Sequence, residues 1–498
     1  MLEEKYPQFW RNAQEIAKNI KEKIEEGKIA RIISHFDADG ISSAGIICTA
    51  LLRLEAAFHL TVVKQLTPEI LKDLEEEKYS FIIFTDVGSG QLNLLEKHLK
   101  QKEKIVVIDH HPPVKADFNS LAHFNPHFHG IDGAKEISGS ATTYVVARAL
   151  DRKNVDLSYL AVVGALGDRQ DKGSQYSLIG VNKEIVNEAV EHKILEAKKD
   201  IRLFGRETRP IHVALEYTTD PFIPGLSGCR ERCKSFIENE IKISLKDENG
   251  KWRTISDLSI EEKQMLASKL IDYMIINGLS AEEAQSIIGM VYTFLNEEKG
   301  SPLRDGREFA TLLNACGRTG HPEIGVAICM GDRREALKEA TQILSKYREK
   351  LANSISWITQ NLEEKLKEKN YVRYFHGEDI IEDSIIGTVT SLLLSSRKIS
   401  NDKVIVGFAY SSEYPSMVKL SARTTQKLVN KGIDLGKALK LAAKKLGVEQ
   451  LAGGHNIAAG GQIPRDMEEK FINQLDSILK EMLETEKHEH TKQNSANS

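Results

Sequence analysis

The chain has 498 residues, of which 41% are hydrophobic and 28% charged, and its formal net charge is −4. This length predicts two to four domains, and the near-neutral charge gives no sign of a nucleic-acid partner, although a local basic channel is compatible with it. The sequence has no apolar run long enough to cross a membrane, no start resembling a secretory signal and no disulfide framework among its 5 scattered cysteines, so we expect a cytoplasmic protein.

The first 200 residues alternate helical and strand patterns. Residues 6–27 predict an amphipathic helix. Candidate strands follow at 29–34, 59–65, 80–85, 104–108 and 121–124. Candidate helices lie at 41–54, 139–151, 156–166 and 182–200. This alternation predicts an α/β fold with a doubly wound parallel sheet, which we place in a first domain at residues 1–204.

Acidic and imidazole side chains follow several of these buried segments. They are His35, Asp37, Asp39, Asp86, Asp109, His110, His111 and Asp168. Because ligands bind at the carboxyl ends of the strands in such sheets, we expect these groups to converge. Converging carboxylates repel unless cations neutralise them, and a mixed carboxylate and imidazole set suits Mn²⁺, with Mg²⁺ or Co²⁺ as substitutes. The sequence therefore predicts a site for two cations that share a bridging carboxylate.

Two further segments of the first domain are candidates for substrate contact. Ser138–Thr143 opens a predicted helix with small hydroxylated residues. Its free backbone N–H groups could bind an anion, or its hydroxyls could be ordinary helix caps, and both interpretations remain open. His127 and His129 are close to the site in chain order and are further candidates for substrate contact.

Residues 205–330 predict an inserted domain of mixed helices and strands. We expect a hairpin from 241–245 and 252–255, with helices at 259–277, 280–298 and 309–316. A zinc site is conceivable, but the spacing differs from that of zinc fingers, and packing in a helical core is the default for its candidates Cys229, Cys233, Cys316 and His321. Three arginines lie in or beside the last of these helices: Arg304, Arg307 and Arg318. They could contact the phosphate backbone of a nucleic acid, or they could simply lie on a solvent-exposed helix face, and both interpretations remain open.

The remainder of the chain predicts a long helix followed by a second α/β domain. Residues 331–370 predict a connector helix, and residues 371–483 a domain with strands at 404–409 and 417–422. Its glycine-rich segment, 451–461, would let the backbone approach a ligand closely, or could be a simple helix-capping turn. The polar end of the chain, 484–498, predicts disorder.

The ordered motifs of the first domain resemble the DHH phosphoesterase superfamily, which is named for the triplet Asp109-His110-His111. The segment Leu451–Gly461 resembles the DHHA1 domain that accompanies it. The resemblance implies catalytic roles for His111, Asp109 and Asp39, with His111 at the scissile phosphate or the leaving group. It implies metal ligation, with Asp86 as the bridge, by His35, Asp37, Asp39, Asp86, His110 and Asp168. It implies substrate contacts from Ser140, Arg423, Gly453, Gly454 and His455.

Within that superfamily the chain resembles the archaeal RecJ-like exonucleases, and among them the GINS-associated nucleases. The match rests on the length, the long insert and the combination of the segments Ser34–Gly40 and Phe309–Arg318. It implies removal of nucleotides from single-stranded DNA in the 5′ to 3′ direction, and binding to the GINS complex and the MCM helicase. Open alternatives are a 3′ to 5′ exonuclease on single-stranded RNA or DNA, a chiefly structural replisome component, and a phosphodiesterase of short or cyclic dinucleotides.

Overall fold

A computed structural model describes residues 2–116, 118–218, 221–396, 399–448, 452–454 and 456–496. The chain forms two compact units, one of Met1–Thr218 with Ile223–Leu344 and another that includes Ser345–Ser498. The segment expected to be an inserted domain, 205–330, lies in the first unit. The domain boundaries that we drew from the sequence stay predictions.

The first unit contains the expected parallel sheet. Its strands are β1 Ala30–His35, β2 Phe58–Val63, β3 Phe81–Thr85, β4 Lys104–Ile108 and β5 Leu121–Phe124. They are hydrogen-bonded in the order β2-β1-β3-β4-β5, and every neighbouring pair is parallel. The chain leaves β1 to one side for β2 and returns to its other side for β3. The carboxyl ends of β1 and β3 therefore flank the switch point, where such sheets bind ligands.

Helices cover this sheet and position its loops. They are α1 Leu2–Lys5, α2 Pro7–Glu25, α3 Ala38–Arg53, α4 Pro68–Glu76, α5 Leu92–Leu99, α6 Gly139–Leu150, α7 Ser158–Gly167 and α8 Gly180–Glu191. One apolar cluster joins Ile33, Phe84 and Val107 of the sheet to leucines of α4 and α5. The amphipathic helix α2 packs on β5, where Phe9 stacks on Phe124 with ring centroids 4.5 Å apart.

Two predicted helices are wrong in part because their segments pair with each other as strands. The helix expected at 182–200 ends at Glu191, where Lys193 adopts a positive φ of 57°, and β6 Leu195–Ile201 follows. The helix expected at 280–298 shrinks to Ala281–Gln285, after which β7 Ile288–Phe294 pairs antiparallel with β6. Local periodicity does not reveal a pairing between segments so far apart in sequence, and pairing overrides intrinsic propensity.

The inserted region has its own apolar core. Its helices are α9 Ile211–Glu216, α10 Arg230–Ser235, α11 Ile260–Ile276, α12 Ala281–Gln285, α13 Gly306–Arg318 and α14 Pro322–Cys329. The predicted hairpin is reduced to a turn closed by one bridge between Lys246 and Trp252. Of the four residues expected to pack in a helical core, Cys233 belongs to the apolar core and Cys316 is buried. The expectation is wrong for Cys229 and His321, which are exposed.

The second unit contains a mixed sheet. Its strands are β8 Lys367–Glu368, β9 Val372–His376, β10 Val404–Tyr410, β11 Met417–Arg423, β12 Ala452–Gly454 and β13 Ala458–Pro464, hydrogen-bonded in the order β12-β13-β11-β10-β9-β8. The helices that remain are α15 Glu335–Gln360, α16 Leu362–Lys365, α17 Ile386–Ser395, α18 Gln426–Val429, α19 Leu435–Lys445 and α20 Glu468–Ala496. Among the described residues, no helix has both the length and the apolar character needed to cross a membrane.

Two expectations for this half of the chain need correction. The connector helix predicted to run through residue 370 ends at Gln360, and its last residues form α16 and β8 instead. The tail expected to be disordered from residue 484 continues helix α20 as far as Ala496. A helix whose buried residues include Phe471 and Leu479 is already nucleated, and the following segment contains no proline or glycine to stop it.

Candidate metal centre

The loop after β1 presents the first two candidate ligands. His35 is the last residue of β1, and Asp37 is the N-cap of α3. Asp37 Oδ1 accepts hydrogen bonds from the backbone N–H groups of Asp39, at 3.1 Å, and Gly40, at 3.0 Å. Its other oxygen, Oδ2, lies 3.1 Å from His35 Nδ1. The cap thus fixes one oxygen of Asp37 and leaves the second beside His35.

Asp39 is held by the N-terminus of α6. Its carboxylate accepts hydrogen bonds from the backbone N–H groups of Gly139, at 2.6 Å, and Ser140, at 2.9 Å. The anion that this helix N-terminus binds is therefore a carboxylate of the protein itself. The Ser140 side chain is buried and donates to the carbonyl of Ala161. Ser140 thus bonds within the protein through both its backbone N–H and its hydroxyl, and the substrate contact expected from it stays a prediction.

Asp86 lies at the centre of the cluster. It follows β3 with a positive φ of 60° and is 1% exposed. Its Oδ1 lies 3.3 Å from His110 Nε2, and its Oδ2 lies 3.5 Å from His35 Nδ1. A side chain at Gly139 would place Cβ 2.2 Å from Asp86 Oδ1, so glycine is required there. Asp86 Oδ1 is buried and has no hydrogen-bond partner among the described residues, as expected of an oxygen that binds a cation.

The Asp109-His110-His111 triplet divides into an orienting acid and two imidazoles. Asp109 Oδ1 accepts from the backbone N–H of His110 and from Nδ1 of His111, both at 2.8 Å. His110 Nδ1 lies 2.6 Å from the carbonyl oxygen of Gly133 and so carries the proton. Nε2 of His110 faces Asp86 and Asp39, so it is the ring nitrogen that could bind a metal once its own proton is displaced.

Asp168 supplies the fourth carboxylate from the end of α7. It is exposed and occupies the C-cap position of this helix. Its Oδ2 accepts a hydrogen bond of 2.9 Å from the side-chain amide of Gln170. Gln170 is in turn held by Asn182, whose side chain donates to it at 2.7 Å. Asp168 therefore reaches the cluster with one oxygen oriented by a buried amide.

The candidate ligands fall into three overlapping sets, and in each set the ligand atoms lie within 4.8 Å of one another. The sets are Asp86 with Asp109, His110 and His111; His35 with Asp37 and Asp86; and Asp39 with His110 and Asp168. Asp86 and His110 each belong to two sets. Sites for two cations roughly 3.5–4 Å apart need such shared ligands. None of the sets found among the described residues contains a cysteine.

The electrostatics of this cluster show the cost of bringing the acids together. Burial and the neighbouring Asp86 carboxylate raise the pKa of Asp39 to about 7. Burial acts against the charged imidazoles, but adjacent carboxylates outweigh it and hold the pKa values of His35 and His110 well above the ordinary range. The cluster thus retains positive charge from protons, and divalent cations would replace those protons.

The loop Asn125–Gly130 behaves differently from the sequence expectation. His127 Nε2 donates to the carbonyl of His110, at 3.1 Å, and His129 Nε2 lies 3.3 Å from Asn12 Oδ1. Both imidazoles thus make contacts within the protein. Between them Phe128 is 57% exposed, and its ring packs edge-on against His123 at 4.9 Å. Phe128 was not singled out from the sequence. Its position between two histidines in a polar, glycine-containing segment was a signal that its ring could be exposed.

In the second unit, two of the predicted substrate contacts come together. Arg423 ends β11 opposite Ala458 of β13, and its Nε donates to Ser391 Oγ at 2.9 Å. Gly454 of β12 pairs with Ala459 of β13, and Gly453 pairs with Gly460. Arg423 and Gly454 therefore meet the same end of β13. His455 lies outside the described residues. The contact roles of these residues, like the ligand and catalytic roles above, stay predictions.

Three domain models match the sequence. They are the N-terminal domain of the DHH family at residues 30–165, the DHH-CID domain at 203–288 and the DHHA1 domain at 369–481. A full-length relative, the uncharacterised protein MJ0831 of Methanocaldococcus jannaschii, is 34% identical over 478 residues, which cover 94% of this chain and 98% of the relative. The sequence match thus includes both compact units.

Solved structures share the fold at low sequence identity. RecJ of Thermus thermophilus, in complex with Mn²⁺, superposes with a TM-score of 0.58 at 15% identity, covering 94% of this chain and 55% of RecJ. The chain thus spans about half the length of that RecJ. CDC45 of Entamoeba histolytica superposes with a TM-score of 0.62 at 12% identity, covering 95% of this chain and 99% of CDC45.

Proposed function

The chain belongs to the DHH/DHHA1 family and shares its fold with RecJ, and on this premise we propose that it is a metal-dependent exonuclease of single-stranded DNA that acts from 5′ to 3′ with two Mn²⁺ ions. The observation that carries the proposal is the position of Asp86. Its buried carboxylate belongs to the set with His35 and Asp37, and its Oδ1 also lies 3.3 Å from Nε2 of His110, which belongs to the set with Asp39 and Asp168. Among the described residues, that oxygen has no hydrogen-bond partner. This is the arrangement that a bridging ligand of two cations needs.

The residues divide the work of phosphodiester hydrolysis between them. His35, Asp37 and Asp86 would hold one cation, and Asp39, His110 and Asp168 the other. Asp86 is not a member of the second set, but its Oδ1 lies 3.3 Å from His110 Nε2, so its carboxylate could reach both cations. Such a pair supplies a hydroxide at neutral pH and stabilises the charge that develops on phosphate oxygens. Asp109 orients His111, whose Nε2 is left to donate a proton to the leaving oxygen or to bind the phosphate.

Replacement of His111 by Ala is expected to lower kcat by about 10²- to 10⁴-fold while Mn²⁺ binding persists. Burial by itself would lower the pKa of His111, but the charge of the neighbouring Asp109 carboxylate has the larger effect, and the pKa is raised. The imidazole is therefore more often protonated and able to donate a proton. Rates on a labelled oligonucleotide and Mn²⁺ titrations measure the two quantities. His129→Ala is the matched control, because His129 contacts Asn12 instead. If His111→Ala weakens Mn²⁺ binding and leaves kcat at saturating Mn²⁺ unchanged, His111 is a metal ligand and not a proton donor.

Phe128 offers a stacking surface that suits unpaired bases. Its loop is fixed to the triplet, because His127 donates to the carbonyl of His110 and Asn125 donates to the carbonyl of His111. Stacking of a base on an aromatic side chain contributes about 1–3 kcal/mol. We therefore expect Phe128→Ala to raise KM on single strands by about 10-fold with kcat unchanged. Phe128→Trp should retain the low KM, and an unchanged KM in Phe128→Ala argues against stacking at this position.

The substrate also needs contacts along its backbone, for which we propose Arg423, Gly453, Gly454 and His455. The support is the DHHA1 match and the meeting of Arg423 and Gly454 at one end of β13. We further propose binding to the GINS complex and the MCM helicase, which rests on the resemblance and on the likeness to CDC45. That likeness favours a second candidate, a chiefly structural role in a replication complex. The retained ligand cluster argues for catalysis.

The proposed activity is tested on single-stranded DNA and RNA labelled at the 5′ or the 3′ end, with and without Mn²⁺. Release of labelled mononucleotide from the 5′ end at the earliest times, from DNA and only with the metal, is the expected result. Early release from the 3′ end, or faster digestion of RNA, supports the alternative exonuclease. Absence of any Mn²⁺-dependent release, with a folded protein that binds GINS, supports the structural role.

A further inference from the structure

Helix α13 belongs to the inserted region but lies against the helices that carry the candidate metal ligands. Its apolar side is buried, and its partly exposed residues Arg307, Thr311, Asn314 and Arg318 recur at helical spacing along one side. Two members of this polar stripe bond to loops of the metal centre. Asn314 reaches the loop that carries Asp37, and Arg307 reaches the loop that follows Asp168.

The contact of Asn314 holds the loop between β1 and α3. Its Oδ1 accepts a hydrogen bond of 3.1 Å from the backbone N–H of Ala38, the residue after Asp37. The first N–H groups of a helix have no partner within the helix, so an outside acceptor fixes them in place. Nearby, a side chain at Gly317 would place Cβ 1.7 Å from the carbonyl oxygen of Phe36. The helix therefore contacts the ligand loop on either side of Asp37, through the Asn314 side chain at Ala38 and through the Gly317 backbone at Phe36.

The contact of Arg307 holds the loop after α7. Its Nη2 donates to the carboxylate of Asp171, which is 8% exposed and lies three residues after Asp168. A second arginine, Arg202, approaches the same carboxylate at 3.9 Å. Between Asp168 and Asp171, Arg169 has a positive φ of 56° and Gln170 is buried. Because only two residues separate Asp168 from Asp171, a displacement of Asp171 should also displace Asp168.

We propose that α13 is a positioning element for the two cation sites, with Asn314 setting Asp37 and Arg307 setting Asp168. Asp37 belongs to the ligand set with His35 and Asp86, and Asp168 to the set with Asp39 and His110. One helix thus fixes one ligand of each site and, through them, the separation of the two cations. This role rests on the proposed metal centre. It gives the inserted region a part in catalysis that the sequence pattern did not predict.

The test is Mn²⁺ binding, measured by calorimetric titration and by the electron paramagnetic resonance signal of exchange-coupled Mn²⁺ pairs. The wild type should bind two ions and give the coupled signal. Asn314→Ala and Arg307→Ala should each weaken one ion by about 10-fold or more and lose the coupled signal. Asn314→Asp keeps an acceptor for Ala38 and should restore binding. Thr311→Ala removes only a bond to the carbonyl of Arg307 within the helix and serves as the matched control.

The outcomes separate failure of this inference from failure of the proposed function. If the wild type binds two ions and both alanine variants bind them with unchanged affinity and coupling, the positioning role is wrong and the metal centre stands. If the variants lose both ions together with a fall in the metal-free melting temperature, α13 acts only as general support, and the inference is also overturned. If the wild type binds no Mn²⁺, the metal centre fails and the inference fails with it.

Discussion

Replacement of Asp86 by Asn is expected to lower kcat by about 10³-fold or more. Asp86 is the carboxylate shared between two ligand sets, and its Oδ1 has no hydrogen-bond partner among the residues that the structure describes. An amide carries no charge and offers one oxygen, so it cannot bridge two cations. Mn²⁺ titration should show that at least one ion is lost along with the activity.

The stability of this variant separates a catalytic role from a structural one. Removal of the Asp86 charge relieves repulsion with Asp39 but also removes attraction to the imidazoles of His35 and His110. Because the two effects oppose each other, the metal-free Asp86→Asn protein should melt within about 5 °C of the metal-free wild type. Asp73→Asn, on the exposed side of α4, is the matched control and should change neither activity nor melting. More than about one tenth of the wild-type kcat in Asp86→Asn argues against a bridging role.

The second large effect is a pH dependence of metal stabilisation. The pKa of Asp39 is raised to about 7 by burial and by Asp86, and the pKa values of His35 and His110 are also raised. Groups with raised folded pKa values contribute stability at low pH and lose it as the pH rises through those values. The metal-free protein should therefore lose stability as the pH rises from about 4, where an unfolded Asp gives up its proton, to about 7, and should lose more above about pH 6.5 through His35 and His110.

Metal binding should reverse this loss, because it requires the deprotonated ligands and so strengthens as the pH rises. At a Mn²⁺ concentration of about 100 times Kd, each ion adds about 2.7 kcal/mol, or about 5 °C in the melting temperature. Melting curves with and without Mn²⁺ across this pH range measure the difference, which should grow with pH. Asp39→Asn should flatten the metal-free curve. A Mn²⁺ effect that is constant, or that shrinks as the pH rises, contradicts this interpretation of the cluster.

The sequence predicted the sheet and the convergence of its acidic loops because both follow from local patterns. Short apolar runs end at polar residues, and parallel strands bring those ends to one edge. It did not predict β6 and β7, because each is stabilised by a partner about 90 residues away in sequence. The contact between the backbone N–H of Ser140 and Asp39 was not predicted for the same reason, because the two residues are 101 positions apart in sequence.

The role of α13 was hidden for a related reason. Sequence reasoning considered Arg307 for a phosphate backbone or a solvated face, and the structure uses it to bind Asp171. A helix pattern gives the side on which a residue lies, but the identity of the neighbouring element comes from tertiary packing. Phe128 is a different case. The polar pattern of its segment made His127 and His129 the candidates for substrate contact, but both contact the protein, and the exposed side chain is that of Phe128 between them.

The central claim, that this cluster holds two cations against a phosphodiester, is tested most directly by anomalous diffraction at the manganese edge from crystals soaked with Mn²⁺. We predict two peaks, roughly 3.5–4 Å apart, with Asp86 between them. The first should be bound by His35 and Asp37, and the second by Asp39, His110 and Asp168. A single peak, or peaks away from Asp86, would contradict the two-cation account.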